Sequence, residues 1–189
     1  MLAGMTSLAP APQALSVPER ARRWPALAAA AWAGTFCAVA GGAVLVAIAT
    51  GGSAGENAVV LLAIGLRVAT VVMALAAVQA WGRLVPAWLL LAGLWGAAAT
   101  QLAYPVAETL VKGLILGGLV DPIDKGISNM SAEGWFNFAG TWLIWGVPGL
   151  LFTLAALDHG RQVSARGRSV ALGIIGGIVL LGGLGMAIG

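Results

Sequence analysis

Long apolar runs alternate with short polar segments along the chain. The runs cover about residues 25–50, 58–81, 86–105, 135–157 and 169–188. Each is close to the ~20 residues that an α-helix needs to cross a hydrocarbon core ~30 Å thick. Glycines and polar side chains gather in the segments between the runs. The pattern predicts an all-α fold, a polytopic transmembrane bundle of five helices.

The composition narrows the class of protein further. The chain has 189 residues, of which 60% are hydrophobic and 9% are charged, whereas soluble domains carry about 25% charged residues. A chain so poor in charge does not cover a water-facing surface. We therefore expect a single transmembrane domain over residues 24–189, preceded by a disordered cytoplasmic tail over residues 1–23. The tail is not a secretory signal, because the positive charges follow it and the next apolar run is too long.

The third apolar run has no clear end. Pro105 removes one backbone donor, so a kink or a break is expected there. Residues 106–120 then continue as an extramembrane helix, lie in the membrane interface or re-enter the membrane. We favour the first two together, and we expect residues 106–134 to form an outer segment. A further kink is expected at Pro148, in the fourth run.

The distribution of charge predicts an orientation. All arginines outside the runs fall on one side of a five-helix topology, and Lys112 and Lys125 fall on the other. Cytoplasmic loops retain Lys and Arg, so we expect the N-terminus in the cytoplasm and the C-terminus outside. The excess of basic residues is then a topology signal. We expect the lipid bilayer as the partner of the chain, and we expect no nucleic acid. The inner arginines are Arg20, Arg22, Arg23, Arg83, Arg161, Arg166 and Arg168.

Several polar side chains lie inside the predicted membrane helices. Arg67 is ~13 Å into its helix, and an arginine near a helix centre costs at least ~2.5 kcal/mol. Gln101, Tyr104 and Glu108 have i, i+3, i+7 spacing, which places them on one helical face at a comparable depth. The fourth helix adds two more polar residues at i, i+4. The predicted polar cluster consists of Arg67, Gln101, Tyr104, Glu108, Asn137 and Thr141.

Two interpretations of the polar cluster remain open. In the first, which we favour, it is a structural network that fixes helix register in a non-enzymatic membrane protein of structural or accessory role. In the second, it is an outward-facing site of a carrier or channel for a polar or anionic solute. Lys112 is a competing partner for Glu108 at i+4. A contact between Arg67 and Glu108 would make the effects of replacing them non-additive.

The sequence holds no motif that points to catalysis. A membrane enzyme acting on lipid would need paired carboxylates or histidines at one interface, and the pattern does not offer them. One cysteine and one histidine leave no basis for a dedicated metal site. We expect no catalytic residue, no metal and no cofactor.

Small residues recur at helical spacing on two of the predicted helices. Such ridges let helices approach closely, and they serve contacts within the chain, with a second copy or with a partner membrane protein. We interpret them as packing surfaces rather than as evidence for a dimer. They are Ala30, Gly34, Ala38 and Gly42 in the first run, and the pairs Gly173/Gly177 and Gly185/Gly189 in the fifth.

One segment resembles a known group of proteins. WGRLVPAWLLLAGLWGAA (residues 81–98), the alanine- and glycine-rich runs and the use of arginine in the inner loops are similar to small uncharacterised membrane proteins of high-GC actinobacteria. The resemblance implies a multi-pass protein of a bacterial cell membrane. Because no activity is established for that group, it implies none here.

Overall fold

The computed structural model describes residues 23–123, 125–161 and 166–188, and all regular structure within them is helical. Five helices are long and apolar enough to cross a membrane, so the chain is a helical membrane protein, as the pattern predicted. Residues 1–22 of the predicted tail, and Gly189, lie outside the described residues. The helices are α1 (Trp24–Ala49), α2 (Ala58–Ala76), α3 (Ala87–Leu116), α4 (Ala132–Gly160) and α5 (Arg166–Ile188).

Helix α3 does not end at Pro105. It runs for 30 residues to Leu116 with Pro105 buried inside it, so most of the segment 106–120 continues the helix. At 1.5 Å per residue α3 is ~45 Å long, longer than the hydrocarbon core is thick, so it tilts or projects beyond it. Helix α2 is shorter than predicted and ends at Ala76, and a 3₁₀ segment, Ala80–Leu84, leads into α3.

Helix α4 contains a π-helical turn. Residues Trp142–Gly146 have π geometry, immediately before Pro148. Proline supplies no backbone donor to the preceding turn, and a π turn fits one extra residue into the helix. Gly146 is required here, because a Cβ atom at this position would overlap the indole of Trp142. The distortion predicted near Pro148 therefore takes the form of a π turn.

The apolar core lies at one end of the bundle. We call this the arginine end, because Arg23, Arg83 and Arg161 lie at the helix termini there. Helix α1 packs against α2 and α4, and α3 packs against α4 and α5. Small side chains dominate the contacts, which lets the helix backbones approach closely. The core includes Ala26, Ala29, Ala30, Ala74, Leu91, Leu94, Ala97, Ala98, Phe152, Ala155 and Ala156.

Glycines bring α5 against α3. A Cβ atom at Gly173 would overlap the carbonyl oxygen of Ala92, and one at Gly177 would lie 2.8 Å from that of Gly96. The numbers increase together on both helices, so α3 and α5 run in parallel. The prediction that Gly173 and Gly177 form a packing surface is confirmed, and their partner helix belongs to the same chain.

Only the first residue of the small-residue ridge predicted on α1, Ala30, packs into the described core. A Cβ atom at Gly34 or at Gly42 would meet nothing within 4 Å. Helix α1 instead buries Ala26, Ala29 and Ala33 against its neighbours. The packing face of α1 is thus set by its alanines near the arginine end, and the glycines further along face outwards.

Candidate functional site

Arg67 lies at the middle of α2 and is enclosed by two other helices. Its side chain is buried, with 5% of its surface exposed. The Cζ atom lies 4.0 Å from the ring centroid of Phe36 on α1 and 4.2 Å from that of Trp145 on α4. Nη2 donates a hydrogen bond of 3.4 Å to the carbonyl oxygen of Ile144. We call this arrangement the Arg67 cage, and it links α1, α2 and α4.

The cage holds a cation without a carboxylate. A cation over an aromatic face is attracted by the ring quadrupole, by about 0.5–2 kcal/mol depending on desolvation. The planar, delocalised guanidinium suits two stacked rings better than an ammonium group does. Ile144 belongs to the π turn, which places its carbonyl beside Arg67. Nη1 of Arg67 is buried and has no hydrogen-bond partner within the described chain.

Glu108 and Lys112 form a second buried group, on α3. Their side chains are 4% and 2% exposed, and Lys112 Nζ lies 3.7 Å from Glu108 Oε1. The same Nζ donates to the carbonyl oxygen of Asn129. It also lies 5.1 Å from the ring centroid of Trp135 and 5.8 Å from that of Phe138. We call this arrangement the Lys112 niche.

The segment before α4 positions the Asn129 carbonyl. Ser131 caps α4 by accepting from the Gly134 amide at 3.2 Å, and its own amide donates to Asn129 Oδ1 at 2.9 Å. These bonds hold Asn129 against the first turn of α4. Gly134 is buried, and a Cβ atom there would overlap the Asn129 carbonyl oxygen. A glycine is therefore needed where α4 meets the carbonyl that binds Lys112.

A groove of about 570 Å³ lies between α3 and the first half of α4. Tyr104, Asn137 and Thr141 line it, and so do Glu108 from the Lys112 niche and Trp145 from the Arg67 cage. Glu108 Oε2 is buried and has no hydrogen-bond partner in the described structure. The groove thus combines hydroxyl, amide and carboxylate groups with aromatic walls, which is a composition typical of sites for small polar ligands.

The structure brings together part of the predicted polar cluster. Tyr104, Glu108, Asn137 and Thr141 share the groove. Gln101 is buried on the same side of α3 as Glu108, and its Nε2 donates to the carbonyl of Ala97 at 3.4 Å. Arg67 does not line the groove.

The structure does not pair Arg67 with Glu108. The carboxylate forms its ion pair with Lys112 instead, which was the competing partner at i+4. Arg67 and the groove are linked indirectly, because Ile144 and Trp145, which both contact Arg67, also line the groove.

Sequence reasoning missed the aromatic partners of both cations. Trp135 and Phe138 have i, i+3 spacing and pack edge to face at 5.5 Å between centroids, a spacing that signals one helical face. Phe36 and Trp145 carry no such local signal, because they lie on different helices from Arg67. A further contact that was not predicted joins α4 to α3, where Trp142 Nε1 donates to Thr109 Oγ1 at 3.0 Å.

We compared the chain with models of protein families, with curated proteins and with solved structures, and nothing matches it.

Proposed function

We propose that this chain is a small, non-enzymatic integral membrane protein of structural or accessory role in a bacterial cytoplasmic membrane. In this proposal the buried polar side chains hold the helices in register. The observation that carries it is the Arg67 cage, in which one side chain from α2 contacts Phe36 of α1 and Trp145 of α4. A contact shared by three helices specifies their relative positions.

The geometry of the cage favours this role over solute binding at Arg67. The rings of Phe36 and Trp145 both lie against the guanidinium, and 5% of the side chain is exposed. A solute would have to displace Phe36 or Trp145 to reach it. A site that binds anions instead keeps its cation on the wall of a cavity, and Arg67 does not line the groove.

Thermal unfolding of the purified native chain in neutral detergent tests the structural role. A panel of inorganic anions, amino acids and small organic cations is added in turn. We expect no saturable shift of the unfolding midpoint from any member, because Arg67 is enclosed by Phe36 and Trp145 and Glu108 is paired with Lys112. A saturable shift with one solute would overturn the structural role.

A second candidate function is solute carriage through the groove. It is favoured by one observation, that Glu108 contributes to the groove while its Oε2 lacks a hydrogen-bond partner in the described chain. If a solute shifts the midpoint, Asn137→Ala and Tyr104→Phe should abolish the shift. Thr35→Ala is the matched control, because that hydroxyl bonds to the carbonyl of Ala31 on its own helix, away from the groove.

We further propose that the arginine end faces the cytoplasm, as the positive-inside rule indicates. The chain has one cysteine, so Cys37→Ser gives a background without thiols. In that background, Ser53→Cys labels the loop between α1 and α2, and Gln79→Cys labels the exposed turn after α2. A membrane-impermeant maleimide applied to intact cells should modify the first and spare the second. The reverse pattern would invert the topology.

The proposal includes helix-mediated association with a second copy or with a partner membrane protein. The outward-facing small residues of α1, Gly34 and Gly42, support it, because nothing in the described bundle covers them. In the Cys37→Ser background, Gly42→Cys should form crosslinks in membranes under oxidising conditions. Ile48→Cys is a control on the same helix, because that exposed position lies about 120° around the helix from Gly42. Equal crosslinking of the two would show random collision.

A further inference from the structure

A cavity of about 830 Å³ opens at the arginine end, distant from the polar cluster. Its walls come from four places: the start of α1, the end of α2 with the 3₁₀ segment, the start of α3 and the last turns of α4. Sites for small molecules typically have volumes of about 300–1,000 Å³. The cavity is therefore large enough for a ligand, and neither candidate function uses it.

Two arginines flank this cavity without a partner. Arg23 precedes α1 and Arg83 lies in the 3₁₀ segment, and both contribute to the lining. Neither guanidinium has a hydrogen bond or an ion pair with any described residue. Asp158, the acidic residue of the lining, lies 3.7 Å from Arg161 Nη1, so its charge is already balanced. Among the described residues, the lining therefore carries positive charge that no acidic side chain balances.

Apart from Gln79 and His159, the side chains of the remaining walls are apolar. Ala26, Ala76, Leu90 and Ala155 are buried and form part of the lining. The cavity thus pairs a cationic rim with an apolar interior. A free inorganic anion would match the rim alone, whereas an amphiphile with an anionic head and hydrocarbon chains matches both.

Three tryptophans indicate the depth of this cavity in the membrane. Trp24, Trp81 and Trp88 lie at helix termini of the arginine end and are 54%, 44% and 49% exposed. Exposed indoles prefer the headgroup layer of a bilayer. The cavity therefore lies at the level of phospholipid phosphates, and basic pockets between transmembrane helices at this level bind anionic headgroups.

We propose that the cavity is a binding site for the headgroup of an anionic phospholipid. Arg23 and Arg83 contact the phosphate, and the alanine-lined interior holds the glycerol and the first methylenes of the acyl chains. The site is independent of the structural role proposed above and of the orientation of the chain. It also requires no solute in the groove.

Native mass spectrometry of the full chain in neutral detergent tests the site, with phosphatidylglycerol as the probe and phosphatidylcholine as the zwitterionic reference. We expect one phosphatidylglycerol to bind preferentially per chain. An arginine near a membrane surface contributes about 1 kcal/mol to binding anionic lipid, which is about fivefold in Kd. Arg83→Gln and Arg23→Gln should each weaken binding by about that factor, and the double variant by about 25-fold.

Arg168→Gln is the matched control, because it removes the same charge from the arginine end but does not line the cavity. Its Kd should stay at the native value. Equal weakening by Arg168→Gln and Arg83→Gln would overturn the site in favour of diffuse surface attraction. Arg23, Arg83 and Arg168 are exposed, so we expect each variant to unfold at the native temperature. A variant that unfolds at a lower temperature is replaced by the corresponding Lys variant. The Lys variant keeps the charge and should bind phosphatidylglycerol.

Inorganic phosphate and glycerol 3-phosphate distinguish the source of the anion. Neither should compete with phosphatidylglycerol at millimolar concentration, because neither fills the apolar interior. Full competition by either one would show that the site takes a soluble phosphate compound, and equal binding of the two lipids would show that it does not select an anion.

Discussion

Arg67 and Lys112 are two cations buried in the same bundle and held in different ways. Lys112 has a carboxylate, a carbonyl oxygen and the rings of Trp135 and Phe138 around its ammonium group. Arg67 has two rings and one carbonyl oxygen, and none of its contacts in the described chain is a carboxylate. An ammonium group is compact and strongly hydrated, whereas a guanidinium is planar and more weakly hydrated. The chemistry of each cation therefore decides how many oxygen acceptors must surround it when it is buried.

The difference predicts unequal consequences of losing each cation. Without Lys112, the Glu108 carboxylate would remain buried with no counter-charge. Without Arg67, no anion is left behind, and the lost ring contacts are offset in part because a costly charge is no longer buried. Loss of the cation should therefore destabilise the protein more in the Lys112 niche than in the Arg67 cage.

The largest expected effect is that of Lys112→Met. It should lower the free energy of unfolding by about 3–5 kcal/mol, which is the usual cost of leaving one partner of a buried ion pair alone. Arg67→Met should cost far less. Unfolding in mixed micelles titrated with dodecyl sulfate measures both variants, and equal losses would contradict the comparison. Adding Glu108→Leu to Lys112→Met should recover most of the lost stability.

The next effect concerns the backbone beside the niche. Gly134→Ala should lower the free energy of unfolding by about 1–3 kcal/mol, the typical cost of overpacking, because the new methyl group displaces the Asn129 carbonyl from Lys112. Gly140→Ala is the control on the same helix, where a Cβ atom meets nothing within 4 Å. The same unfolding assay applies, and a native-like Gly134→Ala would show that the niche does not depend on that carbonyl.

Arg67→Lys tests whether the cage requires a guanidinium. The charge is kept but the stacking on Phe36 and Trp145 is lost, so we expect a loss of about 0.5–2 kcal/mol. In a Trp145→Leu background the same substitution should cost less, since one ring is already absent. Thermal unfolding of the four proteins of this double-mutant cycle gives the coupling energy between Arg67 and Trp145. A coupling energy of zero would show that Trp145 does not stabilise the Arg67 side chain.

The smallest expected effect is the coupling between the two groups. Arg67→Leu and Glu108→Leu should be additive within about 0.3–0.5 kcal/mol, because the two side chains share no hydrogen-bond partner. A direct contact between Arg67 and Glu108 in one polar cluster would instead make the two effects non-additive. A coupling energy of 1 kcal/mol or more in the same denaturant titration would show that Trp145 transmits a strain between the cage and the groove.

The helical fold could be predicted because it depends on the length of apolar runs. A run of about 20 apolar residues is a sufficient signal for a membrane helix, and the part of the chain that the structure describes contains five such helices. The end of α3 was harder to place, since Pro105 is buried inside a helix that continues to Leu116. Neighbouring helices, side chains and waters compensate for the missing donor of a proline in a membrane helix, and a single sequence does not reveal them.

The sequence could predict which polar side chains share one face of α3, but not which residues contact Arg67. The spacing of Gln101 and Glu108 predicted one face of α3, and the structure buries both there. The partner of Arg67 depends on the π turn at Trp142–Gly146, which adds a residue and rotates everything after it by ~100° relative to a regular helix. Trp145 lies within this turn, so the regular 3.6-residue periodicity does not place it correctly.

The glycine contact between α3 and α5 has a consequence for biosynthesis. The carbonyls of Ala92 and Gly96 are covered by Gly173 and Gly177, but α4 lies between the two helices along the chain. When α3 leaves the ribosome, the helix that covers it has not yet been made. The glycine-lined face of α3 therefore stays open to lipid or to the insertion machinery until α5 is translated. The bundle closes in the order set by translation, and its final contact joins two helices that are not neighbours in sequence.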